Sequence, residues 1–215
     1  MSHQTKIKTA FTGLALTTVS LLLITQPALA HHPFGGTTPD SLLAGFLSGL
    51  GHPVIGIDHL TFVIAVGLLA LLKPAKGIFL PVTFALTTIL GTFIHLLSLD
   101  LPFPEIIISA SVFICGILLA GKTTPQLTWL IFFAAIAGTF HGYAYGEAIV
   151  GAEMTPLLAY LAGFAIIQLA ISVGTFQIGK SILKTAQENP NLFLRFAGFT
   201  IAGIGFAFLA STILG

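Results

Sequence analysis

Two imidazoles and a carboxylate stand within eight positions, in the stretch His52-Pro53-Val54-Ile55-Gly56-Ile57-Asp58-His59. They head an apolar run that continues from Leu60 to Leu72 without another charge. One aspartate at the centre of a membrane helix costs roughly 2.5–3.5 kcal/mol on insertion scales, so ionisable groups kept at such depth mark function. Imidazole nitrogen and carboxylate oxygen are ligand atoms for a divalent metal ion, and the His-x5-Asp-His pattern predicts such a site from His52, Asp58 and His59. Further candidate ligands are His141 and Glu147, with His95, His31 and His32 behind them. A donor set of imidazole and carboxylate without thiolate suits Ni²⁺, Co²⁺ or Zn²⁺. Cu(I) prefers sulfur, and beyond the first thirty residues the chain offers only Cys115 and Met154. Mg²⁺ and Ca²⁺ want an oxygen cage.

The elements that must position these residues are membrane helices. The chain has 215 residues, 55% of them hydrophobic and 7% charged, against about 25% charged in a soluble domain. The predicted fold class is an all-α polytopic membrane protein with six transmembrane helices after a cleaved signal peptide. Residues 1–30 read as that signal: Lys6 and Lys8, an apolar core from Phe11 to Ile24, and the small-x-small site Ala28-Leu29-Ala30. Residues 31–215 form one six-span domain, with apolar segments at Val54–Leu72, Gly77–Ser98, Glu105–Ala120, Gln126–Tyr145, Thr155–Ile178 and Leu194–Leu214, each near the ~20 residues that cross a bilayer. The first helix is expected to be broken near Pro53, which removes a backbone donor. Ser41 to Leu50, too short to span, is expected as a half-helix dipping into the outer leaflet. Broken helices are how transporters expose ion ligands.

A cleaved signal places the mature N-terminus outside, with an even number of spans returning the C-terminus there. Lys73, Lys76, Lys122, Lys180, Lys184 and Arg195 then all fall in or beside cytoplasmic loops, as the positive-inside rule requires for a bacterial cytoplasmic membrane protein. Every mature histidine falls on the outer side: His31 and His32 at the new N-terminus, His52 and His59 at the first span, His95 and His141 near outer helix ends. Asp40, Asp58, Asp100, Glu105, Glu147 and Glu153 lie there too, which makes an outer surface that attracts cations.

The motif His52-Pro53-x-x-Gly56-x-Asp58-His59, followed by Ala65-Val66-Gly67-Leu68, resembles the signature of HupE/UreJ proteins. Phe140-His141-Gly142-x-Ala144-x-Gly146, ending beside Glu147, is similar to that family's second motif. The resemblance covers essentially the whole mature chain. It implies a six-span bacterial permease for nickel or cobalt, often associated with hydrogenase or urease maturation. Two positions depart from the family pattern: Tyr145 stands where a second histidine is common, and Thr61-Phe62-Val63 where methionine is common.

Other features are weighed against this. Thr83, Thr87, Gly91 and His95 share one helix face, as do Gln168, Ser172, Thr175 and Gly179; each stripe serves either a path toward the cytoplasm or helix–helix hydrogen bonding. Ala134, Gly138, Gly142 and Gly146 form a ridge for close helix approach, and Gly203, Ala207 and Ser211 are expected to form another. Gly116-Ile117-Leu118-Leu119-Ala120-Gly121-Lys122-Thr123 satisfies the Walker A pattern. It closes a transmembrane helix instead of following a strand in a soluble domain, so no nucleotide is expected. A net charge of +1 gives no sign of nucleic acid. The expected function is a secondary permease importing Ni²⁺ or Co²⁺, with no permanently bound cofactor and with the ion and membrane lipid as partners. Alternatives are an intramembrane metal-dependent enzyme, with His52, His59 and His141 as ligands and Glu147 as base, and a metal-sensing or chaperone-like membrane subunit.

Overall fold

The computed structural model describes residues 37–185 and 190–215. Among them the chain is all helix: α1 (Leu42–Ile55), α2 (Ile57–Ala70), α3 (Phe79–Leu96), α4 (Pro104–Ala120), α5 (Leu127–Glu147), α6 (Met154–Thr185) and α7 (Pro190–Leu214). The predicted signal segment lies outside the described residues.

The helices turn large apolar side chains outward and bury polar groups among an apolar core. On α1, Leu42, Leu43 and Leu47 are exposed, while Gly45, Ser48, Gly49 and His52 are buried. On α3, Leu86 and Leu90 face outward and Thr88 and Thr92 are fully buried. A soluble protein does the reverse. Here lipid solvates the leucines, and the buried hydroxyls of Thr88, Thr92 and Ser111 donate to carbonyls. The chain is a multi-pass membrane protein. Helices α3, α5, α6 and α7 are each long and apolar enough to cross a bilayer, and α1 with α2 form a bent pair that reads as one further span. Helix α4 has 17 residues, at the short end of the spanning range of about 17–25.

The break in the first span falls at Gly56 rather than Pro53. Helix α1 runs through Pro53, and the Gly56 amide still donates to the His52 carbonyl at 3.3 Å. Gly56 then turns extended (ψ 107°), and α2 leaves at an 80° bend. A Cβ at Gly56 would sit 2.7 Å from the His59 ring and 3.2 Å from Asp58 Oδ1. Glycine is needed there because the next turn folds its side chains back over the break. The segment expected as a half-helix is thus a full helix of 14 residues that carries His52 into the interior.

Three helix pairs pack closely through several glycines each, and α2 meets the Ser172 backbone of α6 through Gly67 alone. In α1 and α6, Gly45 and Gly49 meet the backbone of Pro156 and Tyr160, and Gly163 meets that of Phe46. In α3 and α5, Gly142 meets Thr88, Gly91 meets Thr139, Gly138 meets Thr87 and Gly146 meets His95. In α4 and α7, Gly116 meets Ala202, and Gly198 and Gly205 meet Ala120 and Phe113. The ridge on α7 is therefore Gly198, Ala202 and Gly205; Gly203 has open space where its Cβ would be. The glycine that opens the Walker-like pattern is a helix-packing residue. Helix α2 sits among the pairs and touches every other helix. Its core residues Phe62, Val63, Ala65, Val66 and Leu69 are all buried.

Candidate metal centre

The site is built around the break. His52 comes from the last turn of α1, Asp58 and His59 from the first turn of α2, and all three are buried. The His52 and His59 rings lie 5.8 Å apart, centroid to centroid. Tyr145 of α5 sits edge-on to both, at 4.8 Å from each. Asp58 Oδ1 accepts from the His59 amide at 2.8 Å. The carboxylate therefore satisfies an orphan donor at the N-terminus of α2 and favours the positive end of that helix.

Hydrogen bonds hold each histidine ring. Ser111 Oγ donates to the Ile108 carbonyl at 2.6 Å and lies 3.1 Å from His141 Nε2. His141 Nδ1 and His59 Nδ1 lie 2.9 Å apart, one donating to the other. Tyr160 Oη donates to the Tyr145 carbonyl at 2.8 Å and is bonded to His52 Nδ1 at 3.1 Å. Metal-binding histidines commonly donate their other N–H to an oriented partner in this way.

His141 thus stands behind His59 and orients it. The two Nδ1 atoms lie 2.9 Å apart, a hydrogen-bond length. Beneath His141 the rings of Phe62 (4.4 Å), Phe84 (5.7 Å) and, against Phe62, Phe133 (6.2 Å) form an aromatic floor. Among the described residues no three His, Cys, Asp or Glu side chains converge closely enough to hold an ion by themselves. An ion at His52 and His59 would complete its shell with water.

The other predicted ligands go elsewhere. Helix α5 continues through Gly146, and Glu147 is exposed at its end; it does not bend back, because Gly146 is packed against His95. His95 lies half-buried against the Tyr143 ring at 4.5 Å, and Tyr143 Oη reaches Asp100 at 3.4 Å. His31 and His32 lie outside the described residues. Sequence reasoning missed Ser111 and Tyr160. The stripe Gln168–Ser172, extended back by two steps of four, passes through Phe164 and reaches Tyr160; nothing in the sequence sets Ser111 apart from other intramembrane serines.

The family model described as HupE / UreJ protein matches residues 19–208. Protein HupE of Rhizobium leguminosarum bv. viciae is 27% identical over 193 residues, covering 89% of this chain and 96% of that protein. No solved structure matches the chain. With the family model spanning nearly the whole sequence, the chain belongs to the HupE/UreJ family.

Proposed function

We propose that the protein is a secondary permease that imports a divalent transition metal, Ni²⁺ or Co²⁺, across the bacterial cytoplasmic membrane. Membership of a family of membrane nickel and cobalt transport proteins supports the reading. The observation that carries it is the pair of imidazoles, His52 and His59, brought together across a broken membrane helix, each held through Nδ1 by a buried partner. Two protein nitrogens, a nearby carboxylate and water form a shell that an ion can enter and leave. A fully closed cage of four protein ligands is the mark of a structural site. The topology that accompanies this reading counts α1 and α2 as one span and α4 as another, giving six, with both mature termini outside. The segment with His31 and His32 captures ions ahead of the membrane site.

The test is uptake of radioactive nickel and cobalt by cells expressing the chain, each competed by the other and by Zn²⁺. Accumulation that disappears in His52→Ala and His59→Ala, with both variants present in the membrane, is the expected result. Normal accumulation in both variants at limiting metal would remove the site, and turnover of a substrate without accumulation would favour an enzyme.

A further inference from the structure

The chain has three tyrosines, and two of their hydroxyls are engaged. Tyr160 Oη bonds to His52 Nδ1 and to the Tyr145 carbonyl, at 3.1 and 2.8 Å. Tyr143 Oη reaches Asp100 at 3.4 Å. Tyr145 is fully buried, and its Oη has no hydrogen-bond partner among the described residues. A polar atom left unpartnered in a low-dielectric interior is costly and calls for a physical reason.

Its place supplies one. Tyr145 lies four residues after His141, on the same face of α5. Its ring stands 4.8 Å from those of both His52 and His59, inclined at 61° and 74°. The two histidines come from opposite sides of the break at Gly56, and Tyr145 contacts both. Its hydroxyl is within electrostatic reach of the Asp58 carboxylate and the Tyr160 hydroxyl. Phe164 backs the ring at 5.5 Å. Aromatic packing therefore places an oxygen in the donor cluster without a protein hydrogen bond that explains it.

We propose that Tyr145 Oη accepts a hydrogen bond from a water bound to the metal ion at His52 and His59. It so holds the part of the ion's shell that no protein nitrogen fills. This rests on the transport reading above, which puts the ion there. A phenol, with an ordinary pKa of about 10, keeps its proton at pH 7, and its oxygen has lone pairs to offer. Water on a divalent cation is polarised into a strong donor, and such charge-assisted bonds are roughly twice as strong as neutral ones. An ion held partly through its water can still leave, which conduction requires.

Tyr145→Phe removes the oxygen and keeps the ring. Nickel and cobalt binding to the detergent-purified full chain is measured by equilibrium dialysis. The visible spectrum of the cobalt-saturated form and the thermal unfolding of the metal-free protein are recorded alongside, with Tyr143→Phe as a control. The expected effects on binding and stability have opposite signs. Metal affinity in Tyr145→Phe falls roughly tenfold or more, as for a hydrogen bond to a charged group. The metal-free variant unfolds at or above the parent's temperature, because no hydrogen bond among the described residues goes with the oxygen. The cobalt bands keep the parent's positions, because the atoms bound to the ion are unchanged. Tyr143→Phe binds like the parent. Parental affinity in Tyr145→Phe would overturn the proposal and leave the hydroxyl a packing feature. Shifted cobalt bands would overturn it by making Oη a direct ligand. An affinity loss with lower thermal stability would overturn it too, since the role is then structural. A folded parent that binds neither metal would sink both this proposal and the transport reading. A parent that binds nickel, loses it in His52→Ala and yet accumulates none in proteoliposomes would sink the transport reading alone, with Tyr145 still judged by binding.

Discussion

Tyr160→Phe removes one oxygen and keeps the ring, including its edge contact with Phe164 at 5.4 Å. Two hydrogen bonds go with that oxygen. The first holds the His52 ring through Nδ1 at 3.1 Å. The second caps the Tyr145 carbonyl at 2.8 Å, one of the last four of α5, which have no intrahelical amide. Loss of a partner that orients a metal-binding histidine typically costs 10–100-fold in affinity, or about 1.4–2.8 kcal/mol. Leaving the carbonyl uncapped costs a further ~1–3 kcal/mol of stability. In nickel uptake the concentration for half-maximal rate should therefore rise about 10–100-fold while the rate at saturation stays near the parent's, since the ligands themselves remain. Thermal unfolding in detergent should begin at lower temperature. An unchanged half-saturating concentration in a well-folded variant would refute the role of Tyr160 in orienting His52, and with it the proposed donor pair.

His59→Ala and His141→Ala should each lower nickel affinity. Because His141 acts only through His59, the double variant should cost little more than His59→Ala alone; additive losses in a double-mutant cycle would show an independent role for His141. Gly56→Ala places a methyl group against the His59 ring and Asp58, so it should reduce uptake strongly with the protein still inserted, and normal uptake would mean that the break relaxes freely. Gly205→Ala should destabilise the protein by about 1–3 kcal/mol by overpacking against the Phe113 backbone, while Gly203→Ala, with open space at its Cβ, should be neutral or slightly stabilising. Equal effects in thermal unfolding would contradict the α4–α7 contact.

The clustering of His52, Asp58 and His59 was legible because charge and imidazole are rare in apolar runs. The ridge on α5 was legible for a similar reason: Gly138, Gly142 and Gly146 repeat at four, and all three face α3. On α7 the same rule chose Gly203 and missed Gly205, because a glycine-rich helix offers several stripes and only the partner decides which is used. Pro53 drew the break toward itself. A proline late in a helix is tolerated when the following turn still closes, and it was Gly56, carrying the crowded side chains of Asp58 and His59, that bent the chain. Glu147 follows His141 closely in sequence, yet α5 continues past Gly146 and carries Glu147 to its exposed end. The roles of His141 and Ser111 depend on which proton goes where, and no spacing encodes that.

The three glycine-locked pairs have a mechanical consequence. Each pair contributes to the same centre: His52 and Tyr160 from α1 and α6, His141 and Tyr145 from α5 of the second pair, Ser111 from α4 of the third, with His59 on α2 between them. Backbone-to-backbone contact makes each pair a stiff unit, and Gly67 joins α2 to the α1–α6 unit through the Ser172 backbone. A sliding or tilting of one unit against the others therefore lengthens or shortens at least one bond in the relay that orients the two donor nitrogens. The strength with which the ion is held and the mutual position of the three units become a single thermodynamic variable: whatever shifts one shifts the other by the same free energy.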